Sequence, residues 1–317
     1  TSLLGQGGMG SVFLAKEKSS SRQVAIKVIS GSIADSTANE AVVRFKREIK
    51  VCASFAHPYV TKIYDGGVQS DGSLYLVMEY IQGKSLLEKV AEQLLKESEA
   101  RSLALKMCEA LSYVHAKEIF HRDIKPANII YLSEERSILV DFGLAFPTDM
   151  TRLTETGNTV GTLQTMAPEQ LQGKDVTAAS DIYSLGATLY YCVTGHYPFN
   201  QENIIAMAAG VQQKTIPWAA DFQKGLSRKF CRILQKCLAP KVQKRFQSAR
   251  ELEKALVEKP TDEVVPSVSA KAAKTKEQSK SNLSTIILLI LIISLPLGWK
   301  SYRAHQNSER AKRLVQV

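Results

Sequence analysis

A chain of 317 residues, 44% apolar and 23% charged, is ordinary globular material, which excludes a disordered chain and leaves room for two small domains or one large bilobed unit. The formal charge is +10, and the stretch from Thr261 onward carries +5 of it, nine Lys/Arg against four Asp/Glu. The other +5 is diluted over 260 residues, too weak a signal for nucleic-acid binding, so no nucleic-acid partner is expected.

Residues 2–30 predict strand, turn, strand: "SVFLAKE" and "RQVAIKVIS" cluster β-branched and apolar residues around the turn-rich "KSSSR". Only Leu3 and Leu4 precede the glycine loop, so the first strand reads as truncated. Residues 38–55 place Val42, Phe45, Ile49 and Cys52 at three- and four-residue spacing, an amphipathic helix ended by His57-Pro58. A hairpin follows, "VTKIYDGGV" and "LYLVMEY" about a "SDGS" turn. Beyond Gly83, "SLALKMCEALSYVHAK", "DIYSLGATLYYCVTG" and the stretches from Phe230 and Leu252 read as helices. The expected fold class is α+β: a strand-rich lobe of residues 1–82 and a helical lobe of residues 83–258.

Composition then shifts. Residues 259–282 are polar and lysine-rich, a flexible linker. From Leu283 to Trp299 no charge occurs, a length of about 25 Å as a helix. With the snorkelling flank Lys300-Ser301-Tyr302 the stretch 283–302 is expected to form a transmembrane helix, leaving 303–317 as a short tail. The five cysteines form no CxxC pair, and Cys231 and Cys237 have no nearby His to complete a zinc set, so reduced, buried thiols of a cytosolic domain are expected. The chain opens on a glycine-rich loop without an initiator methionine, which reads as a piece of something longer.

The chemistry-bearing residues follow the same order. "GQGGMGSV" sets Gly5, Gly7 and Gly10 in a strand-loop-strand context, where backbone amides can approach phosphates because no Cβ intervenes. Lys27, in "VAIK", is either a snorkelled edge lysine or a phosphate contact held by a carboxylate. Glu48, three residues after Phe45, can supply that carboxylate. "HRDIKPANII" then brings Asp123, Lys125 and Asn128 together ahead of Asp141 in "VDFG". A phosphate-bound divalent cation wants hard oxygen ligands, which Asn128 and Asp141 offer. Asp123 remains to orient a hydroxyl and take its proton, and Lys125 to neutralise a transferring phosphoryl group.

In this order, over residues 1–258, the motifs resemble the protein kinases: the glycine loop, "VAIK", the helix glutamate, "HRDIKPAN", "DFG" and "APE" at Ala167 to Glu169. The resemblance implies a bilobed protein-kinase fold, ATP with Mg²⁺ (Mn²⁺ an acceptable substitute) and protein substrates. It implies that Gly5, Gln6, Gly7, Gly8, Gly10 and Val12 cover the nucleotide and that Lys27 meets the α/β-phosphates with Glu48 as its partner. Ala25 and the backbone of Glu79 to Ile81 would border the adenine, with Met78 behind it. Asp181 resembles the aspartate that braces the catalytic loop, and Arg245 the arginine that pairs with Glu169. "DIKPAN" and Thr162 in "GTLQTMAPE" resemble the serine/threonine branch, and "GQGGMG" with "SDIYSLGATLYYCVTGHYPF" resembles bacterial, eukaryotic-like kinases, many of which carry one transmembrane helix.

Regulation is expected in the threonine-rich stretch between Asp141 and Glu169, where phosphate on Thr154 or Thr156 could pair with Arg122. Autophosphorylation there leaves a homodimer open. Basic residues flank the apolar stretch on both sides, four before it and five after it, so charge does not set the topology. The need for ATP does: the catalytic lobe is expected in the cytoplasm, at the cell membrane. The rival readings are a pseudokinase scaffold, which usually lacks one of the catalytic residues found here, and a small-molecule kinase.

Overall fold

The computed structural model describes residues 2–7, 10–29, 38–70, 72–142, 163–199, 205, 208 and 216–258. Five antiparallel strands form the first lobe, in the order β1-β2-β3-β5-β4: β1 Ser2–Gly7, β2 Gly10–Lys16, β3 Gln23–Ile29, β4 Ile63–Val68 and β5 Leu74–Glu79. Five of the six residues of β1 pair with β2, Leu4 falling at a register shift, and Gly5, Gln6 and Gly7 lie opposite Val12, Ser11 and Gly10. The strand thus continues past Leu3 and Leu4 into the glycine motif. Gly10 has φ 144°, and a Cβ there would fall 2.1 Å from the Val28 carbonyl oxygen, so only glycine lets β2 approach β3 so closely.

Helix α1 (Ala38–Cys52) packs Phe45 and Ile49 under the sheet. It stops at Cys52, before the His57-Pro58 pair that the sequence nominated as its end. On the sheet's other face Phe13, Ala15, Val24, Ile26 and Val28 form a second cluster. Strand β3 is thus covered on both sides, and every residue from Val24 to Ile29 is buried, Lys27 included. A buried ammonium must find a carboxylate.

The second lobe is helical: α2 Leu86–Glu92, α3 Glu97–His115, α4 Pro168–Leu171, α5 Ala178–Thr194, α6 Arg228–Cys237 and α7 Ala249–Val257. Helix α5 is its axis, buried from Ala179 to Tyr190 and stopped by Gly195 at φ 73°. The sequence reading missed a small sheet of β6 (Lys84–Ser85), β7 (Ile129–Ser133) and β8 (Arg136–Leu139). β8 also joins the lobes. Thr61 N–H donates to the Leu139 carbonyl at 3.0 Å, and Leu139 N–H to the Tyr59 carbonyl at 2.9 Å.

All five cysteines are free and buried. Among the described residues no helix is long and apolar enough to cross a membrane. The stretch 283–302, the linker 259–282 and the tail 303–317 lie outside the described residues, as do Gly8, Gly143, Thr154, Thr156 and Thr162.

Candidate active site

The loop after α3 owes its shape to one buried acid. Asp181, in the first turn of α5, accepts the backbone N–H of His121 at 2.8 Å and of Arg122 at 2.9 Å, and its Oδ2 lies 2.8 Å from His115 Nε2. Burial opposes its charge, yet the hydrogen bond and charge of His115, with His121 beyond, hold the carboxyl below its ordinary range. Arg122 sits at φ 66° and Asp141 at φ 63°, left-handed conformations costing a non-glycine residue about 1–3 kcal/mol. At Arg122 the cost is met from both sides: Asp181 takes its N–H, and Gln170 Nε2 donates to its carbonyl at 2.9 Å.

That peptide unit delivers Asp123, which is buried. Its Oδ2 accepts from Lys125 Nζ at 2.8 Å and from Asn128 Nδ2 at 2.9 Å. Asn128 Nδ2 also donates to the Asp123 carbonyl at 2.8 Å. Both donors converge on one carboxylate oxygen, and no hydrogen bond from the described residues ends on Oδ1, which can accept a hydroxyl proton. With the amide hydrogens of Asn128 committed to Asp123, its carbonyl oxygen is the atom a cation could use.

Lys27 reaches across the cleft from β3 to Asp141, Nζ to Oδ1 at 2.5 Å. Glu48 stands apart from Lys27 in the described pairs. Its carboxylate lies 3.7 Å from Arg122 Nη1, and among the described residues the ion pair made by Lys27 is with Asp141. Helical spacing puts Glu48 on the inner stripe of α1, but that stripe faces the catalytic loop as well as β3. Phe142 anchors the other end of Asp141's peptide unit, its ring packed on Phe55 at 5.6 Å and His121 at 4.7 Å.

His121 is buried, and desolvation lowers its affinity for a proton. Its geometry agrees. Nδ1 faces the Asp123 N–H at 3.3 Å and Nε2 the Val140 carbonyl at 3.1 Å, a pairing that suits the neutral ring with hydrogen on Nε2.

The adenine-side residues lie on the interior strands β3 and β5 and at the start of the inter-lobe connection. Ala25 pairs with Met78 and Val24 with Glu79 across β3 and β5, and Val12 pairs with Lys27 across β2 and β3. Ala25 and Met78 are buried, while Val12, Glu79 and Ile81 are half-buried. Gly5 and Gln6 are exposed on the hairpin above them. Asn128 and Asp141 offer hard oxygens, and among the described residues no three His, Cys, Asp or Glu side chains could hold a metal by themselves. A divalent cation that takes two protein oxygens and fills its remaining positions from phosphates and water fits that donor set.

Below the cleft, Arg245 and Glu169 form a buried bidentate pair, with N–O distances of 2.7 and 2.8 Å. Ser180 Oγ adds a third hydrogen bond to Glu169 at 2.6 Å, and Arg245 also caps the carbonyls of Ala179, Ala239 and Pro240. Burial works against the Glu169 charge, but Arg245 and Ser180 outweigh it and hold the carboxyl below its usual value. Gln170 next to it was not nominated by the sequence. It accepts the Ala167 N–H on Oε1 at 3.1 Å and so ties the "APE" segment to the catalytic loop. A side chain bridging two backbone groups leaves no sequence pattern by which to find it.

The protein kinase domain model matches residues 1–257. The chain belongs to the protein kinase family. Among curated proteins, this kinase domain is 34% identical over 252 residues to the serine/threonine-protein kinase PrkC of Bacillus subtilis, covering 79% of this chain and 38% of that one. It is 36% identical over 262 residues to PknB of Mycobacterium tuberculosis, covering 80% and 41%. The chain thus spans about two fifths of the length of the curated relatives it matches. Among solved structures, the M. tuberculosis PknI kinase domain matches with a TM-score of 0.64 at 28% identity, over 81% of this chain and 92% of that one. Rad53 residues 1–466 in complex with AMP-PNP matches with a TM-score of 0.63 at 25% identity, over 80% and 64%.

Proposed function

We propose that this chain is an ATP-dependent protein-serine/threonine kinase, held at the cytoplasmic face of a membrane by residues 283–302 and activated by autophosphorylation at Thr154 and Thr156. The observation that carries the catalytic part is the Asp123 cluster, with two donors on Oδ2 and, among the described residues, none on Oδ1. A substrate Ser or Thr hydroxyl gives its proton to Oδ1 while its oxygen bonds to the γ-phosphorus. The bond from that phosphorus to the β,γ-bridging oxygen breaks, and ADP departs with the electron pair. Lys125 is placed to offset charge on the phosphoryl group in transit, and Lys27 to hold the α/β-phosphates. Asn128 and Asp141 are the residues that would hold Mg²⁺, which supplies charge neutralisation along the phosphates when bound. Thr162 is read as a contact of the catalytic loop, and Arg122 as the partner of an activation-loop phosphate. The uncharged run from Leu283 to Trp299, with Tyr302 beyond it, supports the anchor.

Transfer of label from γ-labelled ATP to a generic protein substrate, for the wild type and Asp123→Asn, tests the reading. Turnover should fall on the order of 10²- to 10⁴-fold with nucleotide binding retained. Equal turnover in both would remove Asp123 as base, and binding without turnover in the wild type would leave a scaffold. Phosphopeptide mapping that finds neither Thr154 nor Thr156 modified would remove the activation step.

A further inference from the structure

The positive charge of the folded domain is not diluted. Residues 1–215 hold 21 Lys/Arg against 23 Asp/Glu, a net of −2, whereas residues 216–258 hold ten against four, a net of +6. Much of that excess lies on one face. Helix α6 buries Phe230, Cys231, Ile233, Leu234 and Cys237. At 100° per residue, the opposite arc carries Arg228, Arg232, Gln235 and Lys236, all exposed, with Lys229 half-buried at its border. The helix has no acidic residue, and exposed Lys241 and Lys244 follow it.

The place of this face in the fold matters as much as its charge. Lys229 Nζ donates to the Glu258 carbonyl at 3.1 Å and to its carboxylate at 2.9 Å. Glu258 is the last described residue, and it lies beside α6. Under the linker expected from their composition, the 24 residues of 259–282 would span about 25–30 Å. The surface that borders the last described residue is cationic, and a tether of that length would keep it within reach of the leaflet.

We propose that the cationic face of α6, continued by Lys241 and Lys244, docks on the anionic headgroups of the leaflet to which the chain is tethered. This rests on the membrane-anchored reading above. Cations within a Debye length, about 8 Å, of an anionic leaflet are attracted to it, by a factor of about five each. Docking would hold α6 against the bilayer and so fix the direction in which the cleft opens.

The test uses the full chain in lipid nanodiscs of phosphatidylcholine alone or with added phosphatidylserine. The rate at which acetic anhydride modifies each lysine is read by mass spectrometry. Lys236, Lys241 and Lys244 should react about fivefold or more slowly in the anionic discs, with protection lost in high salt, while exposed Lys18 in the other lobe reacts equally in both. In an Arg232→Glu/Lys236→Glu chain, Lys241 and Lys244 should return to their neutral-disc rates, with the melting temperature and basal phosphotransfer of the wild type. Equal rates in both lipids would overturn the proposal, as would protection that depends on a second chain in the disc and not on lipid charge. A chain that does not enter discs would sink the anchor reading by itself. The same footprint with free phosphatidylserine vesicles then decides the face.

Discussion

Lys27 and Asp141, 114 positions apart in the chain, meet at 2.5 Å, while Glu48 lies 3.7 Å from Arg122. Stability cycles should reproduce that partnership. Double-mutant cycles on Lys27→Met with Asp141→Asn are expected to give a coupling of about 0.5–3 kcal/mol. Lys27 with Glu48→Gln should give a value near zero, and the partly exposed Glu48–Arg122 pair about 0–1 kcal/mol. Denaturant melts of the ligand-free chain supply these numbers. A Lys27–Glu48 coupling larger than that of Lys27–Asp141 would contradict the geometry.

Gln170 holds the carbonyl of the residue just before Asp123. In Gln170→Leu that carbonyl and the Ala167 N–H both lose their partner, and the peptide unit carrying Asp123 is free to drift. Misplacing a reacting group by about 1 Å costs up to about 100-fold. Gln170→Leu should therefore lower kcat by on the order of 10- to 100-fold with the KM for ATP little changed. Gln170→Glu keeps the acceptor for Ala167 but sets an oxygen against the Arg122 carbonyl, so it should be no milder. Steady-state kinetics on both variants decide; a change confined to KM would show that Gln170 does not position Asp123.

Arg245 satisfies a carboxylate and three carbonyls in a buried setting. Arg245→Leu leaves the Glu169 charge buried with Ser180 as its remaining side-chain partner, at a cost of about 3–5 kcal/mol. Replacing both members, with Glu169→Leu added, should recover part of that loss, because no uncompensated charge remains. Urea titration of the three chains measures the difference.

Acid should destabilise the fold in two stages. The unfolded chain takes a proton on His121 near pH 6.5, whereas burial keeps the folded ring neutral to lower pH. Between those values the unfolded state binds more protons, so stability falls as pH drops below 6.5, by about 1.4 kcal/mol per pH unit for a fully engaged proton. His57, also shifted down by burial, adds the same sign. The second stage belongs to Asp181 and Glu169. Their folded pKa values are depressed, so their contribution is complete above their ordinary values of 3.8 and 4.5 and is lost as pH falls below them. Urea midpoints measured from pH 8 to pH 3 should show both declines, and a His121→Gln chain a flatter first one.

Much of this was legible in the sequence because kinase chemistry keeps its residues in short strings. Asp123, Lys125 and Asn128 lie within six positions, so their mutual contacts follow from one turn of 3₁₀ helix at Pro126–Asn128. The α1 helix and the hairpin of β4 and β5 follow from period and turn chemistry. The approach of Arg122 to Glu48 was not legible, since spacing fixes the face of a helix but not which charges it meets. The small sheet was missed because its strands have two, five and four residues, too few for alternation to register. The extension of β1 into the glycine motif was missed because exposed glycines carry no strand signal. The charge of residues 216–258 was visible as numbers, but its concentration on α6 needed the helix to be folded.

The five buried thiols have a practical consequence. Burial pushes Cys52 and Cys237 up to about 12 and Cys231 to about 11, with Cys108 and Cys192 also raised, so at neutral pH none presents a nucleophilic thiolate. Maleimides and iodoacetamides should therefore pass the native chain by. A single cysteine placed at exposed Val43 or Val257 becomes the one reactive handle, and a dye or spin probe can be attached without first stripping the natural sulfur from the interior.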